Sequence, residues 1–188
     1  MKLLLIEDDP LQAEWVTSAF KRDFKHIEVW NIHTERGFLT QIDQIETWMP
    51  DLIILDVMIR WTDPAVEMSD VPEDIISEGF LNAGFRCMER ISRSETLYAV
   101  PIIMYSVLAT ADIKSQLNKL SPHVFVVHKD NSPDELMRFA RSAVRQLSPT
   151  DLRMNTRASR ILQSFELKPG WFGLRVDLKS LFGRRHKS

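Results

Sequence analysis

Pro50-Asp51-Leu52-Ile53-Ile54-Leu55-Asp56-Val57-Met58 runs apolar and branched from Leu52 to Leu55 and then meets a carboxylate. An uninterrupted apolar run of this length, with no alternation of polar residues, is a strand buried on both faces, as strands of a parallel sheet are. Asp56 then stands at the C-terminal end of its strand, where open parallel sheets gather their ligands and chemistry.

Lys2-Leu3-Leu4-Leu5-Ile6 is a second such run, and it ends in Glu7-Asp8-Asp9. With the two strands as neighbours, three or four carboxylates converge in one crevice. Their mutual repulsion calls for a cation, so the pair of strand ends is a candidate divalent-metal site.

Outward from these two strands the chain alternates. Asp9-Pro10 starts a helix, Asp as cap and Pro in the first turn, with Leu11, Trp15, Ala19 and Phe20 at helical spacing. A strand is expected over 26–34 and a helix over 35–48, whose Phe38, Leu39, Ile42, Ile45 and Trp48 form a stripe. After Asp56 a helix is expected over 84–94, a strand over 100–106, a weaker helix over about 110–120 and a strand over 123–129. Ser132 and Pro133 open a last helix, with Leu136, Phe139, Ala140, Ala143, Val144 and Leu147 on its buried face. Five strands alternating with five helices make a doubly wound α/β domain, here 1–147.

The 188 residues, 44% hydrophobic and 27% charged, suit one domain with an appendage. The apolar runs are strand length, short of the roughly 20 residues a bilayer requires, and Met1-Lys2-Leu3 enters a strand without signal-peptide organisation. The single cysteine, Cys87, excludes an internal disulfide and a cysteine-rich zinc site. A cytoplasmic protein is expected. The net charge of −2 hides an asymmetry: residues 148–188 carry nine Lys/Arg against three Asp/Glu, a net of +6, which leaves −8 for the rest. An acidic body with a basic extension implies two roles, or an extension that recognises something acidic.

Four signals now lie at strand ends in chain order: Glu7-Asp8, Asp56, Ser106 and Lys129. In this order they resemble the receiver domain of two-component response regulators, over roughly residues 1–147. The passage from His128 to Leu136 is similar to the Lys-Asp-x-Ser-Pro-x-Glu-Leu passage of one large regulator subgroup. The resemblance implies a flavodoxin-like five-stranded parallel sheet of order 2-1-3-4-5. It implies that Asp56 is a phosphoacceptor, attacking a phosphoryl group donated by a histidine kinase or histidine phosphotransfer protein. It implies Mg²⁺ as cofactor, held by Asp8 and Asp56 directly, by Glu7 through water and by the Met58 backbone carbonyl. Lys129 would bind a phosphoryl oxygen as a point charge and Ser106 would offer its hydroxyl to another, its movement reporting phosphorylation.

Beside these roles stand plainer ones. Asp9 reads as a helix cap, Ser106 alone as a strand-end serine bonded to backbone, Lys129 alone as an ordinary surface lysine. The five histidines show no ligand spacing.

The chain also departs from the family pattern. Val107 follows Ser106 where the family has a smaller residue, and Val126 stands where it often has a switch aromatic, with Phe125 one place earlier. A segment of about 60–83 lengthens the connection after Asp56; it is acidic, contains Pro64 and Pro72, has Arg60 as its one basic residue, and reads as a loop that is either solvated or a docking lid. Residues 148–188 match no standard output domain and show no helix-turn-helix pattern, which argues against DNA binding. Their basic residues suit docking on a protein, whether an effector, the chain's own domain or a second copy in a homodimer, or else contact with a membrane surface or a nucleic acid. The expected function is a phosphorylation-switched module with protein–protein output and no catalytic turnover. The alternative is a receiver-like scaffold that binds partners without being phosphorylated; a metal-dependent phosphatase is weaker, for want of a general acid.

Overall fold

A computed structural model describes residues 1–63, 71–79, 82–108, 111–113, 123–130 and 133–146. The helix and strand order is β1 (Lys2–Ile6), α1 (Pro10–Asp23), β2 (Glu28–Ile32), α2 (Glu35–Trp48), β3 (Leu52–Leu55), α3 (Glu73–Glu78), α4 (Ala83–Ser92), β4 (Ile102–Ser106), β5 (Val124–His128) and α5 (Pro133–Gln146). All five strands are parallel, in the order β2-β1-β3-β4-β5. This is the flavodoxin-like order that the sequence reading expected.

The sheet is covered on both faces because each central strand is apolar on both. Leu4, Ile6, Ile53, Leu55, Ile102 and Met104 point to one side, where they meet Phe38, Ile42 and Ile45 of α2 and Cys87, Met88 and Ile91 of α4. Leu3, Leu5, Leu52, Ile54, Ile103 and Tyr105 point to the other, against Val16 and Phe20 of α1 and Leu136, Met137 and Ala140 of α5. Alternation along the strand therefore divides one apolar sequence between two cores. Among the described residues no helix is long and apolar enough to cross a membrane.

Local signals set the helix starts. The Asp9 carboxylate accepts from Leu11 N at 2.8 Å and Gln12 N at 3.3 Å, so Asp9 is the cap its plainer reading made it. The Thr34 hydroxyl accepts from Gly37 N at 3.0 Å and caps α2 in the same way.

One element differs from expectation. The acidic segment after β3, read as loop throughout, contains α3, which follows Pro72 and seats Ile75 in the interior with 3% of its surface exposed. A helix of six residues buries one apolar side chain, too little for a periodic pattern to register. Within the helix expected over about 110–120, residues 111–113 are helical and the remainder lies outside the described residues, as do 64–70, the cap Ser132 and the whole of 148–188.

Candidate functional site

The register of the sheet assembles the site. Ile6 pairs with Leu55, so the next residues, Glu7 and Asp56, emerge side by side, and Asp56 N donates to Ile6 O at 3.0 Å. Ser106 pairs with His128, which puts Lys129 beside Ser106, and Lys129 N donates to Ser106 O at 2.9 Å. Glu7, Asp8, Asp56, Ser106 and Lys129 thus share the C-terminal edge of the sheet, where an open parallel sheet binds its ligands.

Side chains close the arrangement. One carboxylate oxygen from each of Glu7, Asp8 and Asp56 lies within 4.8 Å of the others. Lys129 Nζ donates to Glu7 Oε2 at 2.7 Å and to Asp56 Oδ2 at 2.8 Å. Asp56 Oδ1 accepts from Met58 N at 3.2 Å, which is how the structure brings Met58 to the site. Glu7 is 2% exposed, Asp56 5% and Ser106 0%. The Ser106 hydroxyl is buried at this edge without a hydrogen-bond partner among the described residues. It does not make the backbone bond that a structural strand-end serine would.

The electrostatics follow from burial. Burial raises the Glu7 carboxyl above the ordinary range, and Lys129 only partly counters it. Burial by itself would lower the Lys129 ammonium, but its bonds to Asp56 and Glu7 outweigh that and hold it above the usual lysine value. The Tyr105 ring lies 5.8 Å below Lys129 Nζ, and burial raises its phenol.

Three features were not assigned from the sequence. Arg60 donates from Nε to Asp8 Oδ2 and from Nη2 to Asp8 O, each at 3.0 Å. Its signal was its position as the single base in an acidic segment. Buried Glu35 on α2 is gripped by Arg86 of α4 through two bonds, 2.7 and 2.6 Å, while Arg86 Nη1 donates to Gly79 O at 2.9 Å. Gly84, in the first turn of α4, lies against the acceptor strand end: a Cβ there would be 2.2 Å from Asp56 O and 2.5 Å from Val57 Cα. The expected switch aromatic is absent in a defined way. Phe125 faces the α1/α5 side and packs against Phe139 with the rings tilted by 48° and 5.8 Å between ring centres, and Val126 joins the opposite core.

No family model matches the sequence, and no curated protein does. Solved structures do. The signal receiver domain of a DNA-binding response regulator from Colwellia psychrerythraea is 20% identical, with a TM-score of 0.56 over 77% of this chain and 98% of that one. A CheY-like response regulator receiver domain from Methanospirillum hungatei is 14% identical, with a TM-score of 0.55 over 77% and 94%. The fold is that of a receiver domain. Another receiver of the same fold, from a Pseudomonas aeruginosa sensor histidine kinase, was solved with a magnesium ion coordinated in its active site cleft; it is 16% identical, with a TM-score of 0.53 over 76% of this chain and 96% of that one. On this receiver fold, the C-terminal strand ends carry the carboxylate cluster, lysine and serine described above.

Proposed function

We propose that the protein is a phosphorylation-switched signalling module that accepts a phosphoryl group on Asp56 from a phosphohistidine of a histidine kinase or phosphotransfer protein. The observation that carries this reading is the meeting, on a receiver fold, of Asp56 with two further carboxylates, with Lys129 Nζ at 2.8 Å and with the unpartnered Ser106 hydroxyl.

The carboxylate cluster fits magnesium. It offers hard oxygen atoms alone, and its three negative charges exceed the two positive charges, Lys129 and Arg60, that contact them among the described residues. Asp8 and Asp56 would hold the ion directly, Glu7 through water and Met58 through its carbonyl. Bound there, the ion would neutralise charge on the phosphoryl oxygens, the main demand of phosphoryl transfer.

The chain's own groups do the rest. An Asp56 carboxylate oxygen attacks phosphorus; a P–O bond forms, the P–N bond to the donor imidazole breaks, and the imidazole leaves with the electron pair and takes up a proton. Lys129, already on the Asp56 carboxylate, passes its charge to a phosphoryl oxygen with little movement. Ser106 donates its hydroxyl to another, which ends its unpartnered state and draws the start of the 107–108 loop toward the phosphate. With Val126 in place of a switch aromatic, that loop carries the report without a rotating ring.

Output is by protein–protein contact, through the 60–83 segment or residues 148–188, and the protein works in the cytoplasm. It is a self-phosphorylating acceptor, open to self-dephosphorylation, and not a turnover enzyme. Incubation with Mg²⁺ and a small phosphodonor such as acetyl phosphate should add one acid-stable, base-labile phosphoryl group. An unchanged mass would favour the phosphorylation-independent scaffold, and steady hydrolysis of an external phosphomonoester would favour a phosphatase.

A further inference from the structure

We infer that Arg60 is an internal competitor for the divalent cation, its guanidinium holding Asp8 in the ion-free protein and giving way when magnesium binds. This rests on the reading of Glu7, Asp8 and Asp56 as a magnesium site.

The two cations divide the cluster. Lys129 lies between Glu7 and Asp56 with 9% of its side chain exposed, whereas Asp8, the carboxylate that Lys129 does not touch, is taken by Arg60 from the solvent side. The hold is double, on the Asp8 carboxylate and on its main-chain carbonyl. It is also aimed. Arg60 O accepts from Glu35 N at 3.0 Å and Trp61 O from Arg36 N at 2.9 Å, so the first turn of α2 fixes the backbone from which the guanidinium extends. Ile59 and Trp61, on either side, are buried. The Arg60 side chain is 40% exposed, so it can leave Asp8 for water while its backbone stays in place. A guanidinium and a divalent ion that share one carboxylate repel each other, so the pair formed in the ion-free state sets a threshold for the ion.

Isothermal titration calorimetry with MgCl₂ tests this on the full chain and two variants. Arg60→Gln removes the charge and should bind Mg²⁺ on the order of tenfold more tightly. Arg60→Lys keeps the charge and should stay within about threefold of the parent. In the parent protein the Arg60 Nε–H resonance should shift on addition of Mg²⁺, as its acceptor is withdrawn. Equal or weaker binding by Arg60→Gln, Arg60→Lys binding as tightly as Arg60→Gln, or an Arg60 resonance that ignores saturating Mg²⁺ would each overturn the inference while leaving the magnesium site standing. Absence of binding by the parent and both variants would end the magnesium reading and this one with it.

Discussion

Glu7 carries the energetic tension of the ion-free site. Its carboxyl is raised because burial penalises the charge more than Lys129 relieves it. A raised folded-state value means that the folded protein holds this proton more tightly than the unfolded chain does. The stability Glu7 contributes is therefore present below the ordinary carboxylate range and lost as pH rises through the raised value. In the absence of divalent ions, Glu7→Gln should melt above the parent near pH 7, with the gap closing toward about pH 4. Scanning calorimetry in chelator across that range checks the sign, and a gap that stays constant or reverses would contradict it. Gly84 gives a steric prediction. Because a Cβ would meet the Asp56 and Val57 backbone and not a flexible side chain, Gly84→Ala should force α4 back and cost about 1–3 kcal/mol in denaturant unfolding. Glu7 and Asp56 were legible because each directly ends an apolar run, where strand direction alone fixes the edge on which it emerges, whereas Ser106 and Lys129, which follows His128, were legible as site residues through the resemblance and their order in the chain. Arg60 and Asp8 are 52 positions apart. Their contact depends on how a connection folds back over α2, which no local pattern encodes.

Between elements, α2 and α4 are clamped by a buried charge pair that no periodicity announces. Glu35 has 2% and Arg86 13% of its side chain exposed, so removing one partner strands a charge in the interior. Arg86→Met should destabilise the protein by about 3 kcal/mol, whereas replacing both with apolar residues of similar size should recover most of the loss. Urea midpoints of the single and double variants measure the difference. Arg86 also holds Gly79, within the 60–83 segment read as either a solvated loop or a docking lid. Deleting residues 62–80 should change the lifetime of the aspartyl phosphate or the choice of donor kinase; unchanged values for both would leave the segment without that role. Strands and long helices were readable because their apolar faces repeat many times. The helix α3 was not, since a single seated isoleucine resembles a loop contact. For β5, the face taken by Phe125 follows from strand parity, but only once the register against β4 is known: Ile103 pairs with Phe125 and Met104 with Val126.

For the whole molecule, the order β2-β1-β3-β4-β5 is what converts scattered acids into one cluster, because it places β1 and β3 side by side and β4 and β5 next to them. Identities of 14–20% to solved receivers with nearly complete coverage of their chains fit a fold specified by apolar patterning and strand-end chemistry, with the remaining positions free to vary. The basic 148–188 region, at +6 against −8 for the remainder, gives the chain a charge asymmetry along its sequence. The most direct measurement for the account is chemical localisation of the phosphate. After treatment with Mg²⁺ and acetyl phosphate, borohydride reduces an aspartyl phosphate to homoserine, and peptide mass mapping identifies the position converted. The account predicts homoserine at position 56 and nowhere else, and none in Asp56→Asn; an unconverted position 56, or conversion at another acid, would contradict it.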